Sequence, residues 1–242
     1  MDYYFLKTYQ SICKSEFGEY GFKNYRDNHY RVVNDVFQSF RLHRSITDLD
    51  CTVEFLIEPL CSERVIDKTT CGADHLKMFE GIYSWFPYNK NSEESMKACI
   101  LEMVGYMHKY LMPFFERGNS CKNAYDVLEE FEIVSRTKID KQDELFGFLP
   151  YSHTKAFITL KIGDYSKACE HFEAVVAQWV SAYEHNMKIS EGNMPPEYTQ
   201  RHEMKLIALR EKIRRIAEHD MDFILNSIQD NEMRSLENLR LT

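Results

Sequence analysis

A change of hydrophobic period divides this chain into two parts. Between residues 28 and 59, Tyr, Val and Phe recur at every second position, which is the spacing of β-strands. After about residue 91 the apolar residues recur at intervals of three and four, which is the spacing of helices. Strands followed by helices predict an α+β fold, with a small antiparallel sheet near the N-terminus packed by helices and a mainly helical C-terminal part.

The strand-like region predicts three strands. Asn34 and Asp35 can form a two-residue turn between the first two, because both residues tolerate a left-handed backbone. The second strand places its apolar residues on one face with Gln38 as a polar interruption, and Pro59 ends the third strand. The three segments are 29–33, 36–42 and 51–57.

The remainder of the chain predicts helices. Asn91 followed by Glu94 has the form of a capping box, and Gly163 with Asp164 can end one helix and begin the next. The tail from Gln229 onward is expected to fray. The predicted helices are 2–17, 73–79, 91 to Pro113, 121–135, 152–162, 165–189 and 197–229.

The length of 242 residues suits one domain with an extension. Residues 136–150 are polar and then end in the sequence LFGFLP, which makes them the best candidate for a boundary. We therefore predict an α+β domain over residues 1–150 and a C-terminal helical extension, a hairpin plus a long helix, over residues 151–242.

Composition limits the class of partner. The formal net charge of −8 disfavours nucleic acid. No stretch approaches the roughly 18 apolar residues of a membrane-spanning helix, so we expect no membrane insertion. Seven cysteines, an odd number without a CxxC motif, indicate a reduced, cytoplasmic protein.

Sequence motifs for catalysis or for cofactor binding are missing. None of the patterns GxxxxGK[ST], GxGxxG, GxSxG and HExxH occurs. Cys51, Cys61 and Cys71 are ten residues apart, which is not a metal-ligand spacing, and we expect His43 and His75 at the surface. The sequence therefore predicts no catalytic residue, no cofactor and no metal site. A Cys–His or carboxylate pair assembled by the fold is the enzymatic alternative.

One group of residues has the composition of a ligand pocket. Gln38 and Arg41 come from the predicted sheet, and Trp85 and Tyr88 come from an aromatic cluster after it. Aromatic side chains with a few polar groups are typical of ligand sites, and they are also typical of cores. We predict ligand binding at these four residues, with a core role as the alternative.

The last predicted helix, 197–229, is the candidate surface for a protein partner. Arg and Lys alternate along it with Glu, as on a solvent-exposed helix. The apolar stripe from Leu206 to Ile216 suits either a core or a seam between two helices. An exposed helix, a partner-binding helix and a homodimer through this helix are therefore all consistent with the sequence.

The predicted helical hairpin resembles one unit of a tetratricopeptide repeat. Ser152 stands where the repeat has a large aromatic residue, Val180 stands where it has its closing proline, and no second copy follows. An ordinary antiparallel helix pair is the alternative, because a lone unit cannot build the concave surface of such repeats. The matching residues are Ala156, Gly163, Asp164, Tyr165, Ser166, Lys167, Ala168 and Phe172.

Residues from about 20 to 132, under half of the chain, resemble a bacterial family of unknown function, the 4304-type domain. The loop after Ile57 departs from the family pattern. The resemblance implies an α+β fold and brings no catalytic residue with it. The matching residues are Gly21, Phe22 and Lys23, Gln38 and Ser39 in the hairpin, and Leu111 to Arg117 at the end of a helix.

These observations predict a cytoplasmic binding or protein-interaction module. One version is an immunity-type protein that blocks a basic toxin by charge complementarity. The alternative is a small hydrolase-like enzyme with a cleft between the sheet and the helices, in which the fold would bring titratable groups together.

Overall fold

A computed structural model describes residues 3–45, 47, 49–72, 74–82, 84–136 and 151–240, and it confirms the predicted α+β class. The strands form one antiparallel sheet of six strands, and helices make up most of the chain after it. The strands are β1 (Lys23–Tyr25), β2 (Asn28–Val33), β3 (Val36–Arg44), β4 (Asp50–Pro59), β5 (Asp74–His75) and β6 (Phe86–Pro87).

The helices lie on both sides of the strands in sequence. A π-helical turn, Met107–Leu111, joins α2 directly to α3. The helices are α1 (Tyr3–Phe17), α2 (Glu93–Tyr106), α3 (Met112–Arg117), α4 (Cys121–Arg136), α5 (Ser152–Lys161), α6 (Tyr165–Ile189), α7 (Pro196–Ala217) and α8 (Met221–Leu239).

The three predicted strands are the centre of the sheet. They correspond to β2, β3 and β4, and the order of neighbours is β1-β2-β3-β4-β5, with β6 pairing with β4 beside β5. Asn34 has a φ of 53°, so the predicted turn uses the left-handed conformation that Asn tolerates. The short strands β1, β5 and β6 were not predicted from the sequence.

The sheet has an inner face and an outer face. The inner face, which includes Phe40 and Phe55, packs against α1 to α4 in the main core. The outer face carries Tyr30, Phe37 and Leu56 at one end, where Leu239 of α8 covers them. Arg41, His43, Glu54 and His75 are also on the outer face, because each is opposite or two residues from another of the set in the register.

Two predictions about the middle of the chain were wrong. Residues 73–79 were expected to form a helix, but the described part contains β5 followed by a 3₁₀ helix, Leu76–Glu80. Ser92, not Asn91, caps α2, because its hydroxyl accepts from the Ser95 N–H. Pro113 does not end the helix. It lies in the first turn of α3, just after the π-helical turn, where a missing N–H is tolerated.

The C-terminal part differs from the prediction of one long helix over 197–229. The chain breaks between α7 and α8, where His219 has a φ of 55° and the Asp220 carboxylate accepts from the Phe223 N–H. The tail is not frayed either, since α8 continues to Leu239, which is only 1% exposed. The helix-capping chemistry of Asp220 therefore separates two helices that the apolar pattern alone would join.

The helices α5 to α8 form a second core. The hairpin prediction is confirmed: Gly163 has a φ of 83°, and Asp164 caps α6 by accepting from the Lys167 N–H. Phe157 and Phe172 are fully buried between α5 and α6, whereas Ile158 on the other side of α5 reaches the main core. Residues 137–150, where the domain boundary was predicted, lie outside the described residues, so the boundary stays a prediction.

Candidate functional site

The structure does not bring the four predicted ligand-binding residues together. Gln38 is fully buried on the inner face, and its Nε2 donates to the carbonyl oxygens of Phe115 at 2.7 Å and Gly118 at 3.0 Å. Its Oε1 accepts from Arg31 Nε at 2.7 Å. Tyr88 is buried in the main core and stacks on Phe5, with ring centroids 4.7 Å apart. Gln38 and Tyr88 therefore join the sheet to the helices.

Arg41 and Trp85 belong to a different environment on the outer face. Both are partly exposed, and Arg41 Nε donates to Glu54 Oε2 at 2.8 Å. Trp85 lies edge-on to the rings of His43 and His75, at centroid distances of 4.9 and 5.1 Å. These two predicted residues thus border a group of side chains that the sequence did not single out.

That group, the outer-face histidine cluster, consists of His43, Glu54 and His75. Glu54 on β4 is directly opposite Arg41 on β3 and His75 on β5, and His43 follows Arg41 by two residues. One possible ligand atom from each of the three lies within 4.8 Å of the others. His43 Nδ1 also contacts Glu54 Oε1. Three adjacent strands therefore hold the cluster.

The two histidines of the cluster differ in their environment. His75 is 3% exposed, so its expected surface position is wrong, whereas the side chain of His43 is 42% exposed. Burial lowers the pKa of His75 to about 4, against the opposing effect of Glu54, so its imidazole is neutral at pH 7. The missed signal was the two-residue alternation of β3, which places Arg41 and His43 opposite to the core residues.

A groove lies on the C-terminal helices. It has a volume of about 1010 Å³ and runs between the α5–α6 turn, the first half of α6 and the end of α7. Ile162, Ile213 and Ile216 supply apolar surface, and Glu170 and Glu173 stand on the α6 wall. The sequence analysis did not identify this groove, because it forms only when α7 packs along α6.

The acidic wall of the groove is open to a partner. Asp164 is engaged, because it caps α6 and its Oδ2 is 3.5 Å from Lys167 Nζ. Within the described ranges, Glu170 and Glu173 take part in no ion pair or hydrogen bond. They are three residues apart on one helix, so both carboxylates can face the same ligand.

The apolar stripe of the predicted partner helix is used inside the protein. Leu209 and Ile216 are buried in the second core with α6, and Leu206 and Ile213 pack partly against it. The charged side of α7 is solvent-exposed, and Arg214 pairs there with Glu211 and Glu218. The stripe is therefore occupied by α6.

Comparisons with known proteins yield no relative. No family model matches the chain, and no curated protein or solved structure is significantly similar to it. The resemblances to the 4304-type domain and to a tetratricopeptide unit therefore stay predictions. Among the described helices, none is both long enough and apolar enough to span a membrane.

Proposed function

We propose that this protein is an immunity-type binding module, and that the groove between α6 and α7 receives a cationic, partly apolar segment of a protein partner. The observation that carries this proposal is the pairing of an apolar floor with two uncommitted carboxylates, Glu170 and Glu173, in one groove of about 1010 Å³. The fold gives a rigid site, because both walls are helices that share a core.

Shape and charge support a partner of this chemistry. Ile213 and Ile216 offer apolar surface to an aliphatic or aromatic side chain, and the acidic wall attracts flanking Lys or Arg residues. The net charge of −8 would also accelerate the encounter with a basic protein. The groove involves the end of the segment 197–229 that the sequence analysis proposed as the partner surface.

We also propose a cytoplasmic location. All seven cysteines are free thiols, and six of them are buried, which suits a reducing compartment. A homodimer through α7 would have to use its charged side, since the apolar stripe packs against α6.

A direct test uses a fluorescein-labelled amphipathic peptide of Leu and Lys as the probe, with binding followed by fluorescence anisotropy. We expect saturable binding that weakens at least about tenfold in the double variant Glu170→Lys/Glu173→Lys, because its groove wall becomes basic. The matched control is Glu184→Lys/Glu203→Lys, which makes the same change in net charge at exposed positions outside the groove.

The control decides between a site and general charge attraction. Equal weakening in both double variants, or no saturable binding by the wild-type protein, would contradict the proposal. The variant Ile162→Asp, at a 46% exposed groove residue, tests the apolar part without disturbing the core. We expect it to weaken the Leu/Lys peptide and to leave an all-Lys peptide unaffected.

The hydrolase-like enzyme stays the second candidate. The specific observation in its favour is the outer-face histidine cluster, since two imidazoles and a carboxylate are common catalytic groups. The cluster lies on the outer face, away from α1 to α4, so an enzyme of this kind would not use the cleft between sheet and helices that the sequence analysis expected.

A further inference from the structure

We infer that His43, Glu54 and His75 form a binding site for a divalent transition-metal ion. The site is independent of the groove, because it is built on β3, β4 and β5 and shares no residue with the α6–α7 surface. It would give the protein a second binding function, whatever partner the groove receives.

The ligand set selects a class of metal. Two imidazole nitrogens and one carboxylate oxygen suit Zn²⁺, Fe²⁺, Co²⁺ or Ni²⁺, whereas Mg²⁺ and Ca²⁺ prefer sites built from oxygen alone. Three protein ligands leave at least one coordination position for water. Such an open set is typical of catalytic metal sites, whereas structural zinc sites have four protein ligands.

The geometry needs only side-chain movement to bind an ion. Around a four-coordinate zinc the ligand atoms lie about 3.3 Å apart, from zinc–nitrogen distances of about 2.0–2.1 Å. In the structure the three donor atoms already lie within 4.8 Å of one another. The metal would replace the direct contact between His43 and Glu54, and the paired strands would keep the three backbones in place.

Neighbouring residues support the ligands as outer partners do in metal sites. Arg41 Nε holds Glu54 Oε2 at 2.8 Å, which orients the carboxylate and leaves Oε1 for the metal. Trp85 packs edge-on against both imidazole rings and limits their rotation. These contacts fix the directions of all three side chains before any ion binds.

Thr52 provides an independent indication of a further ligand. It is fully buried on the outer face, directly opposite His43 and two residues from Glu54. Its hydroxyl has no hydrogen-bond partner within the described part of the chain. A buried hydroxyl normally has a partner. A water molecule bound to the metal could supply that partner.

The alternative is a purely structural ion-pair network of Arg41, Glu54 and His43. That network does not involve His75 as a charged partner, whereas metal binding requires its nitrogen. The two explanations therefore differ in what the removal of His75 does to the affinity for metal.

The experiment titrates metal-free protein with Zn²⁺ by calorimetry and with Co²⁺ by visible absorption. We expect one ion per chain, a Co²⁺ spectrum of low coordination number with nitrogen ligands, and a rise in Tm when Zn²⁺ is present. His75→Ala, His43→Ala and Glu54→Gln should each weaken Zn²⁺ binding by at least about tenfold. His185→Ala, at an exposed position on α6, is the matched control and should bind as the wild type does.

Two results would overturn the site. One is the absence of stoichiometric Zn²⁺ binding and of any change in the wild-type Tm, a measurement that needs no variant and so no assumption about folding. The other is Zn²⁺ binding that persists in the His75→Ala and His43→Ala proteins while circular dichroism shows them folded, because the ion would then bind elsewhere, for example at thiols.

Discussion

At the scale of single residues, His29 shows how burial controls the charge of a side chain. It is 3% exposed, stacks on Phe40 at a centroid distance of 4.7 Å and meets Tyr9 edge-on at 6.0 Å. Neither ring nitrogen has a hydrogen-bond partner among the described residues. Burial therefore lowers the pKa of His29 from 6.5 to about 4, although Asp27 acts in the opposite direction.

His29 should make the protein sensitive to mild acid. The unfolded chain takes up a proton near pH 6.5 and the folded chain only near pH 4, so the free energy of unfolding falls as pH decreases between these values, by up to about 3 kcal/mol. We expect His29→Phe, which keeps an aromatic ring in the stack, to remove this part of the pH dependence. Urea unfolding at pH 7, 5.5 and 4.5 measures it.

Exposed His185 provides the control for this comparison. The variant His185→Ala should retain the pH dependence of the wild type, because its imidazole is in water in both states. Parallel pH curves for the wild type and His29→Phe would show that the His29 ring is solvated and titrates normally in the folded protein.

At the scale of elements, a buried ion pair fastens α5 to α4. Lys155 of α5 is 5% exposed, and its Nζ lies 2.6 Å from Glu132 Oε2 and also contacts Glu129. The backbone N–H of Tyr151 donates to the other oxygen of Glu132 at 2.5 Å. The start of α5 is thus tied to α4 by charge as well as by packing.

Removing the Lys155 charge should weaken this junction strongly. We expect Lys155→Met to lower the free energy of unfolding by about 3 kcal/mol, because Glu132 stays mostly buried without its counter-charge. Lys122→Met, at an exposed position of α4, should change it by less than about 0.5 kcal/mol. Urea unfolding measures both, and the double variant Lys155→Met/Glu132→Met should recover much of the loss. Equal effects of the two single variants would contradict a role for the ion pair.

At the scale of the whole molecule, α8 connects the C-terminus to the sheet. Leu239 packs with Tyr30, Phe37 and Leu56 on the outer face. The Ser235 hydroxyl donates to the Leu60 carbonyl oxygen at 3.0 Å. The last helix therefore belongs to the sheet as much as to the helical extension.

Truncation of Leu239 tests this connection. Leu239→Ala should lower the free energy of unfolding by about 2–4 kcal/mol, because the side chain is 1% exposed and its loss leaves a cavity. Met233→Ala, on the same helix but 55% exposed, should be nearly neutral. Differential scanning calorimetry compares the two proteins, and two equally small shifts in Tm would indicate a frayed tail.

The sequence predicts the elements whose signal is local. The hairpin at Asn34, the turn at Gly163 and the strand alternation around Phe40 follow from residue type and period alone. The two-residue strand of His75 exists only because it pairs with β4, so no local pattern reveals it. The histidine cluster depends on that pairing, and the sequence analysis could not assemble it.

The position of Leu239 against Tyr30 also has a consequence for synthesis on the ribosome. These residues are separated by about 200 positions, so the outer face of the sheet lacks this part of its cover until the end of the chain emerges. During translation the strands are complete while Phe37 and Leu56 still await their final neighbour. The nascent sheet is therefore the stage of biogenesis at which a chaperone would have most to protect.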